Sequence, residues 1–161
     1  MWMRVDRVNT AKAALSRHGS KFHRACVNVT NEYALLIQNE ARQLVPVDTG
    51  RLRAAIRNRV NDREALVTAL IGVGNEVGSD VEYAAEVEHG HGPRNVEWQP
   101  LYEWALRKAK GRAKIAHKIA GKTFWRLRRV GRKARPFLRP AYDKYRGRYP
   151  KAIAAAARGV K

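Results

Sequence analysis

The chain has 161 residues, 45% of them hydrophobic and 29% charged, with a formal net charge of +19. That length and composition fit one domain with a real core and exclude disorder by composition. No apolar run approaches the ~18 residues that a membrane span needs.

The excess charge is local. Residues 1–50 carry +3, residues 51–100 carry −2 and residues 101–161 carry +18. Such a block implies a polyanionic neighbour, either nucleic acid or an acidic protein surface, or else a solvated face. The single cysteine, Cys26, excludes an internal disulfide framework and suits a reducing compartment. The opening MWMRVDRVN holds no apolar core of a secretion signal, so the triplet Asn28-Val29-Thr30 reads as a chance match to a glycosylation acceptor.

Residues 5–44 read as one long helix. Val8, Leu15, Phe22, Val29 and Leu36 recur every seven residues, and Cys26, Tyr33, Ile37 and Leu44 continue an apolar stripe. Gly19 predicts a kink or break, and Val45-Pro46 ends the helix, because a residue before proline avoids the α region. A short helix is expected over Gly50–Ile56, with Asp48 or Thr49 capping it and Leu52 and Ile56 buried. Two strands follow, near Ala55–Val60 and Ala65–Val73, joined by Asn61-Asp62-Arg63.

Residues 74–80 form a loop rich in Gly, Asn and Asp. Residues 81–88 fit either a strand or a short helix, and His89–Pro93 break the pattern. Residues 98–133 predict two basic helices or a loose hairpin, interrupted at Gly111, Gly121 and Gly131. Pro136–Pro140 read as an extended bridge, and a last helix runs over Ala141–Ala157 with a fraying end. The expected fold class is α+β: a long N-terminal helix, a small antiparallel sheet, a basic helical segment and a C-terminal helix. A single domain over residues 1–161 is expected, with 98–135 as a basic helical insertion or appendage.

The triplet Asp48-Thr49-Gly50 invites comparison with the catalytic carboxylate of an aspartic protease. That chemistry needs two carboxylates sharing one proton, and one chain offers one, so only a homodimer would serve. Arg51, Arg53 and Arg57 would keep Asp48 ionised, which is the wrong state for the task. A helix-starting turn explains the same letters better. His89 and His91 beside Glu86 and Glu88 are a weak metal signal, and a surface loop accounts for them. In the run Lys122–Val130, Phe124 and Trp125 are expected to pack inward, with the arginines open to phosphate or acidic protein. Cys26 on the apolar helix face reads as an inert core thiol. No phosphate-binding loop, nucleophile elbow or complete dinucleotide fingerprint is present. Nothing here argues for an enzyme, a cofactor or a metal.

Three segments together carry a resemblance. They are LVPVDTGRLRAAI (44–56), VEYAAEVEHG (81–90) and KARPFLRPAYDKY (133–145). In this order they resemble the neck and tail-completion proteins of long-tailed bacteriophages. The matching residues are Pro46, Val47, Asp48, Thr49, Gly50 and Leu52; then Tyr83, Ala84, Val87, Glu88 and Gly90; then Pro136, Phe137, Leu138, Pro140 and Ala141.

The resemblance implies a structural, non-catalytic role at the head–tail junction of the virion, in a protein made in the bacterial host cytoplasm. It implies a ring, sixfold or twelvefold, around the DNA channel. The implied partners are head-closure, tail-terminator or tail-tube proteins and packaged DNA, with no membrane. The basic segment exceeds the family's usual connection. Its candidate docking or DNA-facing residues are Arg107, Lys108, Lys110, Arg112, Lys114, Lys118, Lys122, Arg126, Arg128, Arg129, Arg132, Lys133 and Arg135. The runner-up is a basic nucleic-acid-binding protein acting outside the virion.

Overall fold

The structure is a computed structural model that describes residues 2–5, 15–63, 66–78 and 81–159. It is α+β. Strand β1 (Trp2–Val5) precedes the long helix α1 (Leu15–Leu44), the short helix α2 (Arg51–Ala55) and the strands β2 (Arg57–Arg63) and β3 (Leu66–Gly72). After a 3-10 turn at Asn75–Val77 the chain is helical: α3 (Ala84–His89), α4 (Trp98–Lys108), α5 (Ala113–Arg129), α6 (Leu138–Arg146) and α7 (Tyr149–Gly159). The chain divides into two compact units, one made of residues 1–88 and 135–161 and the other of residues 89–134.

In the first unit the sheet is antiparallel with order β1-β3-β2. Val60 and Val5 both pair with Ala69. On β3, Val67, Ala69 and Ile71 are buried while Leu66, Thr68 and Leu70 are only half-buried, as the two-residue period of a strand requires. Helix α1 packs on the sheet and on α6 and α7. Ile37, Ala41, Ile56, Ala69, Ile71, Phe137 and Leu138 form the centre of its core.

Several expectations shift. The long helix begins at Leu15 instead of residue 5: Val5 lies in a strand, and residues 6–14 lie outside the described residues. Gly19 does not break α1, because a helix of 30 residues absorbs the ~1 kcal/mol that one glycine costs. The expected stripe is buried in part: Cys26 and Ile37 are in the core, while Phe22 and Val29 are half-buried. Leu36 and Leu44 are exposed, and the core face is Cys26, Thr30, Ala34, Ile37 and Ala41. A straight helix has 3.6 residues per turn, so a strict heptad drifts by about 20° each repeat and walks off the packed face.

The first strand is displaced to Arg57–Arg63, so Asn61-Asp62-Arg63 belong to β2 instead of a turn, while β3 lies within the expected 65–73. Residues 64–65, which include the expected start of the second strand, and residues 79–80, the end of the expected loop, lie outside the described residues. Of the two options for residues 81–88, the helix is the one formed. The extended bridge is shorter than expected, since α6 already starts at Leu138; Pro140 sits in its first turn, where the missing N–H is harmless. The expected last helix is two helices, α6 and α7, parted at Gly147-Arg148. Pro150 cannot donate to Arg146, so the ladder stops there.

The second unit is a helical hairpin. Ala105, Ala109, Ala116 and Ala120 are buried between α4 and α5, and their small side chains let the helices approach closely. Trp98 covers one side, stacking on Tyr102 at 6.3 Å and meeting Phe124 edge-on at 5.6 Å. The turn is a Schellman cap: Gly111 N–H donates to the Leu106 carbonyl at 2.9 Å and Lys110 N–H to Arg107 at 3.2 Å. Gly111 ends the first helix, but Gly121 lies half-buried inside α5 without interrupting it.

Two outcomes follow from these contacts. Lys110 holds a left-handed φ of 51°. Lys110→Gly is expected to raise stability by about 0.5–1 kcal/mol in chemical denaturation, by removing the cost of that conformation. Tyr149 is buried, and its hydroxyl meets Thr30 Oγ at 2.9 Å. Burial pushes its pKa above the ordinary phenol value. Its contribution is therefore intact below about pH 10 and is lost as pH rises further, because the unfolded chain ionises first. Tyr149→Phe is expected to cost about 1 kcal/mol at neutral pH and to flatten the decline in melting temperature above about pH 10.

Candidate functional site: a structural joint and a basic helix

The three sequence motifs converge on one core. Leu52 from the first, Ala84 and Val87 from the second, and Phe137, Leu138 and Ala141 from the third all belong to it. Phe137 is fully buried, which makes it the largest enclosed side chain of the unit. Tyr83 is partly exposed, and Pro136 and Pro140 are on the surface.

The polar centre of this joint is Glu88, only 3% exposed. Its Oε2 accepts from the backbone N–H groups of Phe137 at 2.7 Å and Leu138 at 3.0 Å, and its Oε1 from Arg139 at 2.9 Å. These are the donors that the first turn of α6 leaves without helical partners. A carboxylate there also meets the positive end of the helix dipole. Beside it, Arg135 N–H donates to the Val87 carbonyl at 2.8 Å. A residue fifty positions away thus supplies the cap that α6 lacks locally, for its own N-cap Phe137 has no side-chain acceptor.

The first motif is a turn. Val45 is buried at the end of α1, while Val47, Asp48 and Thr49 are exposed. Thr49 Oγ accepts from the Arg51 N–H at 3.4 Å, and Gly50 takes the left-handed φ of 79° immediately before α2. Arg51, Arg53 and Arg57 all face solvent.

Within the second unit, His91 and Arg132 exchange both backbone hydrogen bonds, at 3.0 and 2.8 Å. This clasp admits only glycine at two places. A Cβ on Gly131 would lie 2.1 Å from the His91 carbonyl oxygen, and one on Gly90 would lie 2.5 Å from that of Arg132. Both hold positive φ, 85° and 73°. Gly90, the last residue of the second motif, is therefore fixed by close backbone approach. His91 Nδ1 lies 2.7 Å from its neighbour's carbonyl, at Gly92.

The basic residues sit as follows. Arg107 and Lys108 end α4; Lys110 and Arg112 form the turn; Lys114, Lys118, Lys122, Arg126, Arg128 and Arg129 stand on α5. Arg132 and Lys133 follow it, and Arg135 belongs to the first unit. All are exposed except the half-buried Arg132. Trp125 does not pack inward: it is 55% exposed, with the guanidiniums of Arg129 at 5.6 Å and Arg128 at 5.8 Å from its ring centre. Only Phe124 turns toward the hairpin, because neighbouring residues on a helix point about 100° apart. Sequence reasoning passed over the capping role of Glu88 and the exposure of Trp125. The first has no local signal; the second follows once Ala116 and Ala120 are known to be the packed face.

Glu88→Gln replaces one acceptor with a donor aimed at backbone N–H groups. It is expected to lower stability by about 2–3 kcal/mol in urea unfolding, against little change for the exposed Glu82→Gln. Equal stability of the two variants would remove Glu88 from the centre of the joint.

No curated protein and no solved structure matches the chain. The family described as "Bacteriophage HK97-gp10, putative tail-component" matches residues 9–90, just over half of the chain, a span that holds α1, the sheet hairpin and the first two motifs. By that match the chain belongs to this HK97-gp10-like family of bacteriophage tail components.

Proposed function

We propose that the protein is a structural, non-catalytic component of the phage neck, which joins or completes the tail as one subunit of a ring around the DNA channel. The observation that carries this reading is the joint itself. Residues of all three motifs hold one core together, which supports a structural role. Asp48, the one residue with a catalytic look, lies in an exposed turn ahead of α2. Its neighbour Thr49 bonds the backbone that starts that helix.

A ring subunit needs a rigid body and surfaces of definite character for its neighbours. The first unit supplies the rigid body through α1, which is about 45 Å long at 1.5 Å per residue. The exposed Leu35, Leu36, Leu44 and Val47 offer apolar contacts, and the second unit offers positive charge. Head-closure, tail-terminator and tail-tube proteins and further copies of this chain are the partners that suit such a subunit. The ring order would be sixfold or twelvefold, and the place of action the head–tail junction of the virion. One domain with a basic appendage remains the organisation that suits this role.

Deleting the gene from the phage that carries it, and imaging the lysate by electron microscopy, tests the proposal. Filled heads and separate tails are expected. Complementation by Asp48→Asn should restore joined particles, since a turn residue has no proton to share. Infectious particles without the gene would overturn the role and favour a basic protein that binds nucleic acid outside the virion. Failure of Asp48→Asn alone would revive a catalytic carboxylate.

A further inference from the structure

The outer face of α5 is chemically uniform. Lys114, Lys118, Lys122, Trp125 and Arg129 follow each other at intervals of four, four, three and four residues. At 3.6 residues per turn they fall within about 80° of arc, opposite the buried Ala116 and Ala120. All five are exposed. The stripe is about 22 Å long at 1.5 Å per residue, which is the axial span of about six base pairs.

Nothing in the unit neutralises it. Helix α5 contains no acidic residue, and residues 89–134 hold only Glu97 and Glu103 against thirteen lysines and arginines. Glu103 is engaged by Gln99 at 3.1 Å on α4. Among the described residues, no ion pair involves Lys114, Lys118, Lys122 or Arg129. Holding so many like charges on one helix costs stability through self-repulsion, and a polyanion would relieve that repulsion.

We propose that this stripe binds double-stranded DNA through its phosphates, without reading sequence. An acidic protein fits less well. Lysine is depleted from the centres of protein interfaces, yet three lysines run along this one, and its only large apolar group is Trp125. Protein–DNA interfaces, in contrast, are strongly positive and polar. Single strands are held by successive stacked bases, and the stripe presents one aromatic ring instead of a platform. No Asn or Gln stands on α5 to read an adenine edge. Trp125, flanked by Arg128 and Arg129, is a flat wedge against the sugar–phosphate rim. The inference deepens the proposed function by making DNA in the channel the partner, but the binding itself stands on this charge geometry.

The test uses the full chain and short labelled duplexes of two unrelated sequences, read by fluorescence anisotropy across a salt series. The two duplexes should bind alike. The logarithm of affinity should fall linearly with that of salt, at a slope matching about four phosphates. Reversing three stripe charges together (Lys118→Glu, Lys122→Glu, Arg129→Glu) should weaken binding at least about tenfold and reduce the slope. A control with the same charge change on exposed cations of the first unit (Lys21→Glu, Arg24→Glu, Lys151→Glu) should weaken it far less. Circular dichroism verifies that both variants are folded.

An equal loss in the control would reduce the effect to net charge and overturn the assignment. Tighter capture of polyglutamate or of a single strand would overturn it in favour of those ligands. Assembly of normal particles without the gene would sink the neck role alone and leave duplex binding to be judged by these titrations.

Discussion

The first unit depends on one carboxylate. Its chain leaves at Glu88 and returns at Arg135, and both ends must be held for the helices after residue 135 to pack on α1. Glu88 does this by accepting three backbone hydrogen bonds from Phe137, Leu138 and Arg139. Burying an ionised carboxylate is unfavourable unless its oxygens are satisfied, and the start of a helix is the place where unpaired donors and a positive dipole end are both available. The same geometry drives Phe137 and Leu138 into the core, where they are 0% and 2% exposed. Full burial of two such side chains stabilises by about 3–6 kcal/mol. The polar contact therefore sets the register that makes the apolar contacts possible.

The two units divide the chemistry of the chain between them. The first builds its core from branched side chains, alanines and Phe137, and its buried polar groups are paired, Thr30 with Tyr149, Gln38 with Asn58 and Glu88 with backbone N–H groups. The second has an alanine seam and an aromatic edge, with thirteen lysines and arginines against two glutamates. Small residues in the seam suit a unit whose outer charge opposes compaction, because close helix approach maximises contact per residue. The glycines at 90 and 131 close its base by direct backbone approach, a solution that adds neither charge nor bulk.

Membership in a tail-component family fits a protein whose notable residues are structural. The matched residues 9–90 hold the rigid frame of the first unit and stop where the basic hairpin begins. The basic hairpin and the helices α6 and α7 lie beyond that match.

Much was legible in the sequence. Pro46 marked the end of α1, the β-branched run over residues 65–73 marked a strand, and Gly111 marked a break between the two basic helices. Local chemistry also made Asp48-Thr49-Gly50 a turn, because the nearby arginines argue against a shared proton. These features are decided within a few residues by backbone preference and by the spacing of apolar side chains. The rest needed the fold. Which face of α1 is buried depends on where the sheet and α6 lie, so Leu36 and Leu44 remained outside despite their spacing. Residues 2–5 join the sheet only because β3 offers an edge. Glu88 and Phe137 lie far apart in the chain, and no pattern in either segment announces the other. Sequence alone determined the elements and the charge; tertiary structure alone decided which faces and which distant polar groups meet, since those contacts cross long separations where local preference carries no information.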